Sequence, residues 1–165
     1  MTTPPRDADS LRLPGVHPAP NIQDHREVYE IENRAADPDG CIEVAMRGVL
    51  SWQDRVVLDL GAGTGFHISG FATMAAHVFA VEPHGASRLA AMRRCAELGL
   101  PNVSVMTGSA ERLPLNTASV DICHARFAYF FGPGCERGLD EVERVIRHGG
   151  TSIDYHYALY WRRYE

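Results

Sequence analysis

The chain has 165 residues, 45% of them hydrophobic, and a formal net charge of −5. That length holds one domain with a core of its own and is too short for two ordinary ones. The acidic balance argues against nucleic acid as the main partner, no stretch approaches the roughly 20 apolar residues of a membrane helix, and the start MTTPPRDADS lacks the apolar run of a secretory signal, so the cytoplasm is the expected compartment.

Residues 1–22 carry five of the ten prolines and show no apolar periodicity. They read as a flexible, extended tail ahead of a single domain over 23–165. The spacing predicts a first helix over about Asp24–Arg34, with Val28 and Ile31 turned inward. In Asp37-Pro38-Asp39-Gly40, Asp37 can cap a second helix and Pro38 suits its first position. Ile42, Ala45, Met46 and Val49 continue that helix.

Val56–Leu60 is a short apolar run ending at glycines, the mark of a buried parallel strand. The turn Gly61-Ala62-Gly63-Thr64-Gly65 follows, then a helix marked by Ile68, Phe71, Ala72 and Ala75. His77–Val81 reads as a second strand, ended by Glu82-Pro83. Leu89, Met92 and Ala96 mark another helix, closed by Gly99 and Pro101. Val103–Met106 reads as a third strand, 109–118 as a loop and Val120–His124 as a fourth strand. Leu139, Val142, Val145 and Ile146 mark a helix capped by Gly149-Gly150. Thr151–Tyr157 is a fifth strand. Strands alternating with helices imply an α/β, Rossmann-like, mostly parallel sheet covered on both faces. Its ligand crevice lies at the carboxyl ends of the strands. The turn, Glu82, the loop from Ser109 and the residues after His124 all converge there.

The turn lets backbone approach a ligand with no side chain in the way, and the N–H groups of the helix start point at it. A dinucleotide fingerprint would have its third glycine at position 66. Phe66 stands there and argues against NAD or FAD. Glu82 ends the second strand, where a carboxylate can accept both hydroxyls of a ribose or simply be solvated. Asp59 sits in an apolar strand, where a carboxylate is costly unless bonded. It either caps the turn's own N–H groups or holds part of a ligand. The chain contains no lysine, which excludes a Walker-type phosphate loop, the protein-kinase lysine and lysine Schiff bases. Four scattered cysteines and no close His/Cys/Asp/Glu spacing leave no metal centre in view.

The run VVLDLGAGTGFH, then AVEPH, GSAERLPL, SVDICHARFAYFF and RVIRHGGTSIDYHY, resembles the successive motifs of class I S-adenosylmethionine (SAM)-dependent methyltransferases, particularly the small bacterial type that modifies metabolites. The resemblance spans about Tyr29–Tyr157. It implies strand order 3-2-1-4-5 and SAM as cofactor. Gly61, Ala62, Gly63 and Gly65 would line the methionine and ribose portion. Glu82 would take the ribose hydroxyls, with Pro83 against the adenine. Ala110 would offer backbone to the adenine beside Ser109 and Glu111, and Ala125 and Arg126 would border the methionine end. Asp59 would serve the amino-acid portion, and Tyr29 would close over the cofactor. Ser109 stands where the family often has Asp. The family also continues past the fifth strand with a helix and an antiparallel strand pair, for which ALYWRRYE is too short. The fifth strand is therefore expected to be an exposed edge, which a homodimer could cover.

The implied reaction is methyl transfer to a small-molecule acceptor. The candidate bases are His124 and His67, with Tyr129 as an orienter; each also has a bland reading as a hydrogen-bonded structural residue. Phe127, Tyr129, Phe130 and Phe131 form an aromatic cluster that reads mostly as core or pocket wall. Two rivals remain: a SAM-binding partner subunit without catalysis, and a nicotinamide-dependent oxidoreductase, which Phe66 opposes.

Overall fold

A computed structural model of the chain describes residues 25–128, 134–155 and 159–164. Helices α1 (Arg26–Ala36) and α2 (Cys41–Val49) precede β1 (Val56–Leu60), α3 (Ile68–Ala72), β2 (His77–Val81), α4 (Gly85–Glu97), β3 (Val103–Met106), β4 (Val120–Arg126), α5 (Glu136–Val145), β5 (Ile146–Tyr155) and β6 (Leu159–Arg163). The six strands form one sheet in the order β3-β2-β1-β4-β5-β6. The first five are parallel, as the alternation of strands and helices requires. The expected tail over 1–22, together with Tyr129, Phe130, Phe131 and Tyr157, lies outside the described residues.

The sheet has a core on each face. Val57, Val78, Ala80, Ile122 and Ile153 pack with Met46 of α2, with Ile68 and Phe71 of α3 and with Cys95 of α4. Leu58, Leu60, Val81, Cys123 and Ala125 pack on the other side with Val142 and Val145 of α5 and with Leu113. Period-two alternation along buried strands divides the residues this way. Among the described residues, no helix is long and apolar enough to cross a membrane.

Several sequence-based expectations need correction. β6 exists and pairs antiparallel with β5, from Tyr155↔Leu159 to Thr151↔Arg163. A direct reversal needs no intervening helix, so the short tail suffices. β5 is consequently not an exposed edge, and covering it gives no reason for a homodimer. Gly149-Gly150 do not cap a helix either. The chain turns extended at Ile146, and the two glycines lie inside β5, where Tyr164 N–H donates to Gly150 O at 2.9 Å. A Cβ at Gly150 would sit 2.6 Å from Ile146 Cγ2 and 2.8 Å from Asp121 O, so the local path demands glycine.

Val28 and Ile31 of α1 are 47% and 66% exposed. The face turned to the protein carries Tyr29, Glu30 and Asn33 instead, because the groups awaiting it are polar. On α4, Leu89 and Met92 are exposed, while Gly85, Ser87, Ala91 and Cys95 are buried. Small residues let α4 approach the turn: a Cβ at Gly65 would lie 3.2 Å from the Ala91 Cα. Asp37 does serve α2, though not from the adjoining position. Its carboxylate accepts the Ile42 and Glu43 N–H groups at 3.0 and 3.2 Å, and Pro38 stays outside the helix, which starts at Cys41.

Candidate functional site

The turn after β1 is held open by three left-handed glycines, Gly61 (φ 70°), Gly63 (φ 55°) and Gly65 (φ 76°), a conformation glycine adopts without strain. Gly61 and Ala62 N–H groups both donate to Val81 O, at 2.8 and 3.1 Å, which ties the turn to the end of β2. Glu82, the next residue, is buried at the centre of this junction. Its Oε2 accepts Gly63 N–H at 2.9 Å and its Oε1 accepts His84 N–H at 2.8 Å. Burial pushes its carboxyl upward in pKa, against the pull of those two N–H groups. Arg88 clasps the following backbone through Glu82 O and Pro83 O, at 2.9 and 2.7 Å.

Of the other residues singled out from the sequence, Ser109 and Ala110 are buried at the start of the loop after β3, beside the end of β2. Ser109 pairs with Arg112 through backbone, and Glu111 is half-buried. Ala62 and Ala125 lie in the apolar cores, and Gly65 faces Ala91 and Ile68. The bare side of Gly61 is in contact with Ala128: an added Cβ would sit 2.4 Å from the Ala128 methyl. The turn and the segment after β4 thus meet at that point.

Asp59 and His124 stand opposite each other on neighbouring strands, and His124 Nδ1 lies 2.8 Å from Asp59 Oδ1 with both side chains buried. Trp52 and Phe71 wall the imidazole, with ring centroids 6.0 and 5.2 Å away. Asp59 therefore serves neither of its two predicted roles alone: its first partner is a histidine. The sequence could have revealed this pair, since order 3-2-1-4-5 places β1 beside β4. Tyr129, the expected orienter, lies outside the described residues, and Asp59 stands in the orienting place.

His67 is bonded on both nitrogens, Nε2 to Asn33 Oδ1 at 2.9 Å and Nδ1 to Arg126 Nη1 at 3.5 Å. Arginine can only donate and the Asn oxygen only accept, so the ring is neutral with its proton on Nε2. Burial, reinforced by Arg126, pushes its pKa down to about 2. A ring so placed is a poor proton acceptor near neutrality.

α1 lies across these groups through polar contacts that sequence reading missed. Glu30 accepts from Thr64 Oγ1 at 2.8 Å and also pairs with Arg94, and Arg34 and Arg94 stand over the Phe66 ring. The Tyr29 hydroxyl sits within the field of Asp59, Glu82 and Arg126. Its pKa is pushed up to about 12, first by burial and then by the two carboxylates. Beneath α2, Glu43, Met46, Trp52, His67, His124 and Arg126 border a small cavity that is partly open to solvent.

Residues 57–150 match the methyltransferase domain family. The chain belongs to that family. An uncharacterised methyltransferase of Mycobacteroides abscessus is 36% identical over 110 residues, which cover 67% of this chain and 40% of that protein. The malonyl-[acyl-carrier protein] O-methyltransferase of Methylococcus capsulatus is 35% identical over 97 residues, covering 57% and 34%. A SAM-dependent methyltransferase from Aquifex aeolicus superposes with a TM-score of 0.64 at 21% identity, over 76% of this chain and 71% of that one, a likeness of fold alone. The methyltransferase domain described here thus spans less than half the length of the curated relatives it matches. Among its described residues, no group of three or more His, Cys, Asp or Glu could hold a metal ion.

Proposed function

We propose that the chain binds SAM in the crevice between the Gly63 turn, Glu82 and Tyr29 and transfers its methyl group to a small-molecule acceptor. The observation that carries this reading is Glu82: a buried carboxylate at the end of β2, bonded to the glycine turn itself. A carboxylate offers about four acceptor positions, and Gly63 and His84 take two. Both oxygens keep a lone pair for a vicinal diol, so the residues fit an adenosyl ribose. Pro83, Ser109, Ala110 and Glu111 lie beside it for the adenine. Asp59, steered by His124, faces the amino-acid end together with Arg126.

SAM supplies an electrophilic methyl on a sulfonium, displaced in line by the acceptor. The chain's part is orientation and exclusion of water. The turn at Gly61–Gly65 fixes one end, Glu82 the sugar, and Tyr29 on α1 covers the crevice. Orientation of this kind supplies roughly 7–11 kcal/mol of barrier reduction in well-aligned reactions. His67, with both nitrogens engaged, keeps neighbours in place rather than moving a proton.

Glu82→Gln keeps an acceptor for Gly63 N–H and removes the charge. It should weaken SAM binding at least tenfold, about 1.4 kcal/mol, in calorimetry. Equal affinity in the two proteins would remove the ribose assignment. The contact of Ala128 with Gly61 favours one second reading, a SAM-binding partner subunit without turnover. Incubation with isotopically labelled SAM and a panel of acceptors separates the two.

A further inference from the structure

Arg126 is buried at the last position of β4, with 6% of its surface exposed. One corner of its guanidinium has neighbours: Nη1 lies 3.5 Å from His67 Nδ1 and 3.9 Å from Asp37 Oδ2. Asp37 is already engaged with the Ile42 and Glu43 N–H groups of α2. The guanidinium carbon lies over the Tyr155 ring, 5.6 Å from its centroid. Nε and Nη2, both buried, have no hydrogen-bond acceptor among the described residues.

Those two nitrogens share one edge of the guanidinium. Their N–H bonds run parallel at the spacing of the two oxygens of a carboxylate, the geometry of a bidentate Arg–carboxylate pair. A buried cation with unmatched donors is costly to keep unless an anion completes it. Arg126 also borders the cavity beneath α2, as does Trp52, whose Nε1–H is buried and likewise without an acceptor. The unmatched polar atoms bordering this cavity are thus all donors, so the missing partner is an acceptor. The other charges at the cavity, Arg47 and Glu43, pair with each other at 3.4 Å. Asp37, 3.9 Å from Nη1, already offsets part of the Arg126 charge, so a monoanion suits the free edge better than a doubly charged phosphate.

We infer that the Nε/Nη2 edge of Arg126 is a carboxylate-binding site. Its location rests on the methyltransferase reading only for the source of the carboxylate, which is either the amino-acid end of the cofactor or the methyl acceptor. The chemistry at Arg126 is the same for both.

The test uses the whole chain. In ¹⁵N spectra of the arginine side chains, the Arg126 Nε–H signal is identified by its loss in Arg126→Lys. Acetate should move that signal saturably, whereas acetamide, which has the same shape without the charge, should not. In parallel, S-adenosylhomocysteine and 5′-methylthioadenosine, which lacks the amino-acid end, are titrated calorimetrically into wild type and Arg126→Gln. A loss of tenfold or more for the former, with the latter within twofold, assigns the carboxylate to the cofactor. Unchanged affinity for both, with a saturable acetate response in wild type, assigns it to the acceptor. An Arg126 signal indifferent to acetate, together with equal S-adenosylhomocysteine affinity in the two proteins, overturns the site. An equal loss for both nucleosides does so too, since Arg126 would then only support the fold. Should neither nucleoside bind wild type while acetate still moves the signal, the SAM reading fails and the carboxylate site stands. Only the assignment of the signal needs a variant, and Arg126→Lys keeps the buried positive charge.

Discussion

β1 and β4 send alternate residues to opposite faces of the sheet, and the two faces differ in kind. Toward α5 they present Leu58, Leu60, Cys123 and Ala125, all in a continuous apolar core. Toward α2 and α3 they present Val57 and Ile122 and then, nearing the carboxyl ends of the strands, Asp59, His124 and Arg126. The same stretch of sheet thus packs the fold on one side and buries three polar groups on the other. Burying such groups opposes folding unless each is bonded. Their collection at the crevice edge of one face marks where stability gives way to binding, while the opposite face makes up the loss by packing. Cys123 illustrates the apolar side: full burial pushes its thiol well above the usual range and leaves it inert.

The comparison can be broken experimentally. The largest effect should come from Leu58→Ala, which leaves a cavity in the apolar face and should cost about 3 kcal/mol in urea unfolding. SAM affinity of the folded fraction should stay within about twofold; a large loss of binding would mean that the faces are not separate in function. His124→Ala removes the partner of a buried carboxylate and should cost about 2 kcal/mol, with weaker SAM binding through a misaimed Asp59. A fully stable variant would show that Asp59 has other support.

A pH experiment sharpens the contrast. His67 is held neutral, with its pKa pushed down to about 2. The unfolded chain takes up a proton there below about 6.5 and the folded chain does not, so this group favours folding above pH 6.5. Its contribution fades by about 1.4 kcal/mol per pH unit on acidification toward 2. Asp154, raised by burial to about 6, has the opposite sign. It protonates first in the fold, so its contribution is fully present below the ordinary carboxylate range and is lost as pH rises through 6. Between pH 6 and 4 the two oppose each other. Asp154→Asn should therefore steepen acid destabilisation, and His67→Gln should flatten or reverse it, as read from unfolding midpoints across that range. Parallel profiles for all three proteins would refute both placements. The smallest effect belongs to the outer face of α1: Val28→Ser and Ile31→Ser should each change stability by less than about 0.5 kcal/mol. A larger loss would mean that this face is covered by something.

Much of the frame was legible because strands buried on both faces write themselves as unbroken apolar runs. Val56–Leu60, His77–Val81 and Val103–Met106 have in the structure the bounds that their composition suggests. The glycine turn was legible because positive φ leaves few alternatives. Less legible was which side of a helix faces inward when the receiving surface is polar. α1 turns Tyr29, Glu30 and Asn33 to the protein because Thr64, Arg94 and His67 wait there, and hydrophobic periodicity carries no trace of such partners. On α4 the demand for close approach to Gly65 outweighed the size of Leu89 and Met92. β6 was overlooked because a strand of five residues needs only a neighbour, and the neighbour is set by topology. At the site, Glu82 could be located from its spacing alone. The Asp59–His124 pair and the free edge of Arg126 depend on which strands adjoin and on where a long side chain finds no acceptor.

The contact between Gly61 and Ala128 has a mechanical corollary. A single methyl resting on a bare α-carbon acts as a spacer between the two lips of the crevice, so its width at that point is set by one atom. Lengthening that atom to the isopropyl of valine would prop the lips apart, and removing it would let them settle closer. Position 128 is therefore a place where the spacing between the glycine turn and the segment after β4 could be reset.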